Sequence, residues 1–207
     1  APLAHREITS FFVPLILWAL VIMVTHSLVN AILAREASAT VVLAAYSIAI
    51  ALYRTVNTWS LTMQQMGLAF MTDRRAVWRL TALGQILVLP NMLLLGLLAF
   101  TPLGDWVYGG LFGTSAAVTA QARVASAWFL LLFPVEMGRN LLVPLLMRER
   151  RTTVIFTATM MRTVVLVGAL PILQGWVQGV VLGALAVSLG FVAEVVAFAF
   201  GLAASTF

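Results

Sequence analysis

The sequence predicts an all-α membrane protein, a single bundle of six transmembrane helices with both termini cytoplasmic. Three observations predict it. Of 207 residues, 62% are hydrophobic and only 9% charged, where soluble domains carry roughly a quarter. The apolar residues fall into six runs, each long enough for a ~30 Å hydrocarbon core, which needs about 20 helical residues. The basic residues are all arginine, and most stand at the ends of those runs, where orientation signals belong. The net charge of +5 therefore reads as topology rather than nucleic-acid affinity.

The expected helices cover residues 11–33, 41–71, 80–100, 120–147, 153–173 and 179–203. The first carries Pro14, then Thr25, His26 and Asn30, the last two sharing a face at four-residue spacing. It is long enough to span, so it reads as a transmembrane helix rather than a cleavable signal. On the second, Ser47, Arg54, Asn57, Leu61, Gln64 and Leu68 fall near one stripe, with Gln65 beside it. That stripe is too polar for lipid and is expected to face other helices or water. The third is mostly apolar, broken by Gln85, Pro90 and Asn91, and reads as packing.

The segment TPLGDWVYGGLFG at 101–113, with Trp106, Tyr108 and Phe112 among glycines, reads as an amphipathic stretch lying at the interface, with a re-entrant loop as the alternative. The fourth helix holds Glu136, Arg139 and Asn140 between Pro134 and Pro144. The fifth and sixth carry Arg162 and Glu194 at equal depth from the same side, which predicts a structural ion pair. Gly179, Gly183, Ala186 and Gly190 give the last helix the small-residue spacing that permits close approach. With the N-terminus inside, Arg6, Arg74, Arg75, Arg79, Arg148, Arg150 and Arg151 all fall on the cytoplasmic side.

Ionised side chains at bilayer depth persist where a partner or water receives them. The deep arginines are Arg54, Arg139 and Arg162, against only Glu136 and Glu194. Glu136 and Arg139, at i and i+3, are expected to pair within their helix. Arg54 is left as the surplus charge, and its planar fork suits phosphate or carboxylate. The competing reading is that Arg54 snorkels or pairs with Glu136 across the bundle. Arg54 is thus the candidate for contact with an anion, and the candidate substrate-binding set adds the other deep polar residues Asn57, Gln64, Glu136, Arg139 and Asn140.

Enzymatic function finds no support. The chain has no Cys, and no P-loop, HExxH, GxSxG or metal-spaced cluster is present. No metal or cofactor is expected; His26 is a weak candidate for ligating a pigment or haem, a hydrogen-bonded intramembrane histidine being the commoner case.

The stretches FFVPLILWALVIMVTHSLVNAILAR and LAAYSIAIAL, then PVEMGRNLLVPLLMRERRTTVIFTATMMR and GALAVSLGFVAE, resemble the multidrug/oligosaccharidyl-lipid/polysaccharide exporter superfamily, the MATE-like flippases. Within it they look most like bacterial progressive-ankylosis-like proteins. The resemblance implies one six-helix lobe of a two-lobed inner-membrane carrier, in a fold whose lobes rock about a central cavity. It implies export of a small anionic or lipid-linked solute by alternating access, with Arg54, Asn57, Glu136 and Arg139 lining the first lobe's cavity. The expected partners are the bilayer, the solute, and a second lobe, a second copy or other membrane subunits. A single lobe also fits a different class, a non-transporting accessory subunit of a respiratory or photosynthetic complex.

Overall fold

The computed structural model describes residues 5–203, except the side chains of 5–8, 10 and 11; the position-6 arginine, counted above as an orientation signal, has its side chain outside that description. Every regular element among the described residues is helical. Five stretches are long and apolar enough to cross a membrane, and a sixth is formed by two helices bent against each other. The chain is a multi-pass membrane bundle.

Helix α1 (His5–Leu33) begins six residues earlier than its apolar run. The expected second helix is two segments, α2 (Ala39–Asn57) and α3 (Ser60–Phe70). Thr58 Oγ1 donates to Arg54 O at 2.8 Å, and Thr58 and Leu61 take i−3 carbonyls at 3.4 and 3.2 Å. Such threonine back-bonding tightens and bends a helix without ending it. Ala39–Phe70 thus remains one span of 32 residues.

Helix α4 (Arg74–Phe100) starts well before residue 80 because Asp73 caps it, accepting from Ala76 N at 2.6 Å. The cap draws all three arginines of the 74–79 stretch into the first turns. After Phe100 a short helix α5 (Leu103–Asp105) runs into a π-helical turn, Trp106–Leu111. This turn folds back on α6 (Ala116–Phe129), where Tyr108 is fully buried and shares a 2.6 Å hydrogen bond with Ser126.

Helix α7 (Leu132–Arg148) continues α6 at a 46° bend. Pro134 accounts for it, since its missing N–H removes the bond to Leu130 O and its ring crowds that carbonyl. Helices α8 (Thr152–Leu173) and α9 (Val180–Ala203) close the bundle, with Gly179 at φ +65° leading into α9.

Helices α8 and α9 pack along their lengths, α1 lies on α8, α2 on α6, and α3 on α7, while α1 scarcely touches α2. The glycine spacing on α9 explains its central place. A Cβ at Gly190 would come within 3.2 Å of Arg162 O on α8, and one at Gly183 within 3.1 Å of Leu33. Tyr46, Tyr53, Phe129 and Phe133 tie α2 to α6 and α7, with Tyr53 and Phe133 ring centroids 4.8 Å apart.

Candidate functional site

The polar residues of α1, α2, α7, α8 and α9 sort into three groups. The first joins α7, α8 and α9. Glu194 is fully buried; its Oε2 accepts from Arg139 Nε at 3.0 Å and from Arg162 Nη1 at 3.1 Å. Its Oε1 accepts from the Thr159 hydroxyl. The rings of Trp18 and Phe191 cover the arginines: Arg139 stands 5.5 Å from the Trp18 centroid and Arg162 4.6 Å from that of Phe191. Arg162 and Glu194, expected at equal depth, are in direct contact, and Arg139 joins them. Two guanidiniums thus share one carboxylate, and Arg162 Nε is buried without a partner among the described residues.

The second group corrects the expected pairing within α7. Glu136 does not pair with Arg139. It accepts from Tyr53 Oη at 2.6 Å and also from Asn57 Nδ2, both on α2. Three residues' separation puts the two charges close enough to pair, about 60° apart around the axis, but each turns instead to the neighbouring helix on its own side. For Glu136 that neighbour is α2, and for Arg139 it is α9. Asn140 donates to Ser60 Oγ at 3.1 Å and accepts from Arg139 Nη1 at 3.4 Å. The side chains of Asn57, Arg139 and Asn140 are buried between helices. In the bundle they fasten helices to one another.

The third group is Arg54 and His26. Arg54 sits near the middle of the Ala39–Phe70 span, yet it is exposed. Its Nη2 stands 3.2 Å from His26 Nδ1 and also contacts Nε2. Among the described residues no carboxylate reaches it within ion-pair distance and its Nε and Nη1 have no partner. The expected alternative pairing with Glu136 across the bundle does not occur; Glu136 Oε2 accepts from Tyr53 and Asn57 instead. His26 thus links α1 to Arg54 on α2, two helices that otherwise touch little. Gln64 lies half-buried on α3, away from this pair by more than two turns of helix.

Five partners were not anticipated from the sequence: Tyr53, Ser60, Thr159, Phe191 and Trp18. Tyr53 and Thr159 carried a signal, lying four residues before Asn57 and three before Arg162 on the same helical faces. Trp18 carried none, since nothing local in α1 distinguishes a lipid-facing tryptophan from one that covers a cation. No three metal-ligating side chains converge among the described residues. Comparison of the chain with protein families, curated proteins and solved structures finds no match.

Proposed function

We propose that the chain is one lobe of a MATE-like carrier in a bacterial inner membrane, with both termini cytoplasmic, and that it exports a small anionic or lipid-linked solute by alternating access. The observation that supports this reading is Arg54, an exposed guanidinium at mid-span whose contact is an imidazole rather than a carboxylate. Such a charge is costly against lipid and stable against water, a second lobe or an anion. Its two remaining donor nitrogens form the fork that holds a carboxylate or phosphate bidentately.

His26 would orient the fork from α1, so that solute binding and the α1–α2 gap are coupled through one hydrogen bond. Glu136, held by Tyr53 and Asn57 behind Arg54, would supply the negative charge that keeps the guanidinium's surroundings balanced when the anion leaves. Rocking requires an opposing lobe, which a continuation of the polypeptide, a second copy or another subunit would provide.

The test is counterflow of labelled small organic anions in proteoliposomes. Arg54→Gln should lower uptake about tenfold or more, as expected for losing one charge-assisted pair, and His26→Gln should lower it less. Flux that is unchanged in Arg54→Gln removes the residue from the mechanism. Stable stoichiometric association with unrelated subunits in mild detergent, with no flux, would instead favour the accessory-subunit reading, to which the largely exposed apolar flank of α1 at Ile16, Leu20 and Met23 is suited.

A further inference from the structure

The end of the bundle opposite Arg74 and Arg148 carries an open cavity of about 750 Å³ between the end of α4, the α5 turn and α6. Its size falls in the range of roughly 300–1,000 Å³ typical of ligand sites, and none of its lining residues belongs to the groups described above. We propose that it binds an aminophospholipid, one whose headgroup carries both a phosphate and a primary ammonium.

The chemistry of the mouth is matched to that pair of charges. Arg123 donates through Nη1 to both oxygens of Asp105, at 2.8 and 2.7 Å, and through Nε to Ala99 O at 3.2 Å. Its Nη2 is left without a partner among the described residues, a cationic donor available to a phosphate oxygen. Asp105 is bound on one side only, with its side chain 57% exposed, so its outer lone pairs can accept from an ammonium.

The threonines at the rim add acceptors. Thr114 donates its single hydroxyl hydrogen to Tyr108 O at 2.8 Å, so the hydrogen in its 2.8 Å contact with Thr119 comes from Thr119. With both hydrogens engaged, the two oxygens offer only lone pairs. A zwitterion therefore finds one donor and several acceptors, whereas a purely anionic headgroup meets Asp105 unfavourably.

The remainder of the cavity is apolar. Phe100, Val124, Ala127 and Trp128 form its wall, and Phe100 and Val124 are exposed on the outside of the bundle. Acyl chains would leave along that wall into the bilayer, while Trp106, also exposed, is of the residue type that anchors at headgroups. The cavity is polar at one end and greasy at the other, in the order a lipid requires. This site stands or falls independently of the carrier reading.

The experiment uses the whole protein in phosphatidylcholine nanodiscs with trace diazirine-bearing phosphatidylethanolamine or, separately, the matched phosphatidylglycerol probe. Crosslinks should map to residues 114–128, with the ethanolamine probe favoured about tenfold, the difference expected of one charge-assisted contact. Asp105→Asn should abolish the preference, and Ala120→Trp or Val124→Trp, which fill the cavity without touching the ion pair, should remove this crosslink while leaving labelling along α1 unchanged. Equal labelling by both probes that survives both tryptophan variants would reduce the cavity to ordinary annular lipid and overturn the proposal. Displacement by soluble glycerophosphoethanolamine at concentrations equal to the lipid would overturn it as well, by assigning the site to a free headgroup.

Discussion

Glu194→Gln is the change that most directly probes how the bundle holds its charges. Gln is nearly isosteric, and its amide can still present oxygen to the arginines and nitrogen to the Thr159 hydroxyl, so the change removes charge and little else. It leaves Arg139 and Arg162, 7% and 2% exposed, without the carboxylate to which both now donate. Removing one partner of a buried pair costs about 3–5 kcal/mol, and here two cations lose the same counter-ion. Arg162→Met removes one cation instead and leaves the remaining contact balanced, Arg139 to Glu194. It forfeits one charged hydrogen bond and the stacking on Phe191, but it also removes a buried Nε that has no partner. The net cost should be about 1 kcal/mol. Equilibrium unfolding in bicelles or mixed micelles measures both. The expected order is Glu194→Gln worse than Arg162→Met by about 2 kcal/mol or more. If the two variants are equally destabilised, charge balance does not govern the cluster and the reasoning fails.

Two further predictions concern packing and topology. A Cβ at Gly67 would come within 2.7 Å of the Pro144 ring on α7, whereas one at Gly96 would meet nothing within 4 Å. Gly67→Ala should therefore destabilise the protein by about 1–3 kcal/mol, and Gly96→Ala should be neutral or stabilising by up to about 1 kcal/mol, both read from the same unfolding titration. The chain contains no native cysteine, so single-cysteine variants report sidedness cleanly: Glu149→Cys should react with an impermeant maleimide only from the cytoplasmic face and Ala117→Cys only from the opposite one. Labelling of both from one side would refute the topology read from the arginines.

Much of this arrangement was legible along the chain. Hydropathy marks where a helix can cross the hydrocarbon, so five spans and the bent pair that forms a sixth, together with the matching levels of Arg162 and Glu194, followed from run lengths alone. The cap at Asp73 and the break at Pro134 were also written locally, although counting apolar residues overlooked both. That one deep cation would be in surplus followed from setting three deep arginines against two deep glutamates, but giving the surplus to Arg54 rested on a Glu136–Arg139 pair that the bundle does not form.

The choice of partners was not written there. Depth is a coordinate along the membrane normal, and it carries no azimuth. Whether Glu136 meets Arg139, Arg54 or Tyr53 depends on which helices flank α7, and these come from positions 79 and 55 residues away in the chain, at Asn57 and Glu194. Local spacing favoured the Glu136–Arg139 pair because it is worth a few tenths of a kcal/mol in an isolated helix. Buried hydrogen bonds to α2 and α9 outweigh that term in the folded bundle. The residues thus determined how many charges lie within the bilayer and at what level. Only the packing of α2 and α9 on either side of α7 decided which of them are fastened inside and that the guanidinium of Arg54 is the one left facing out.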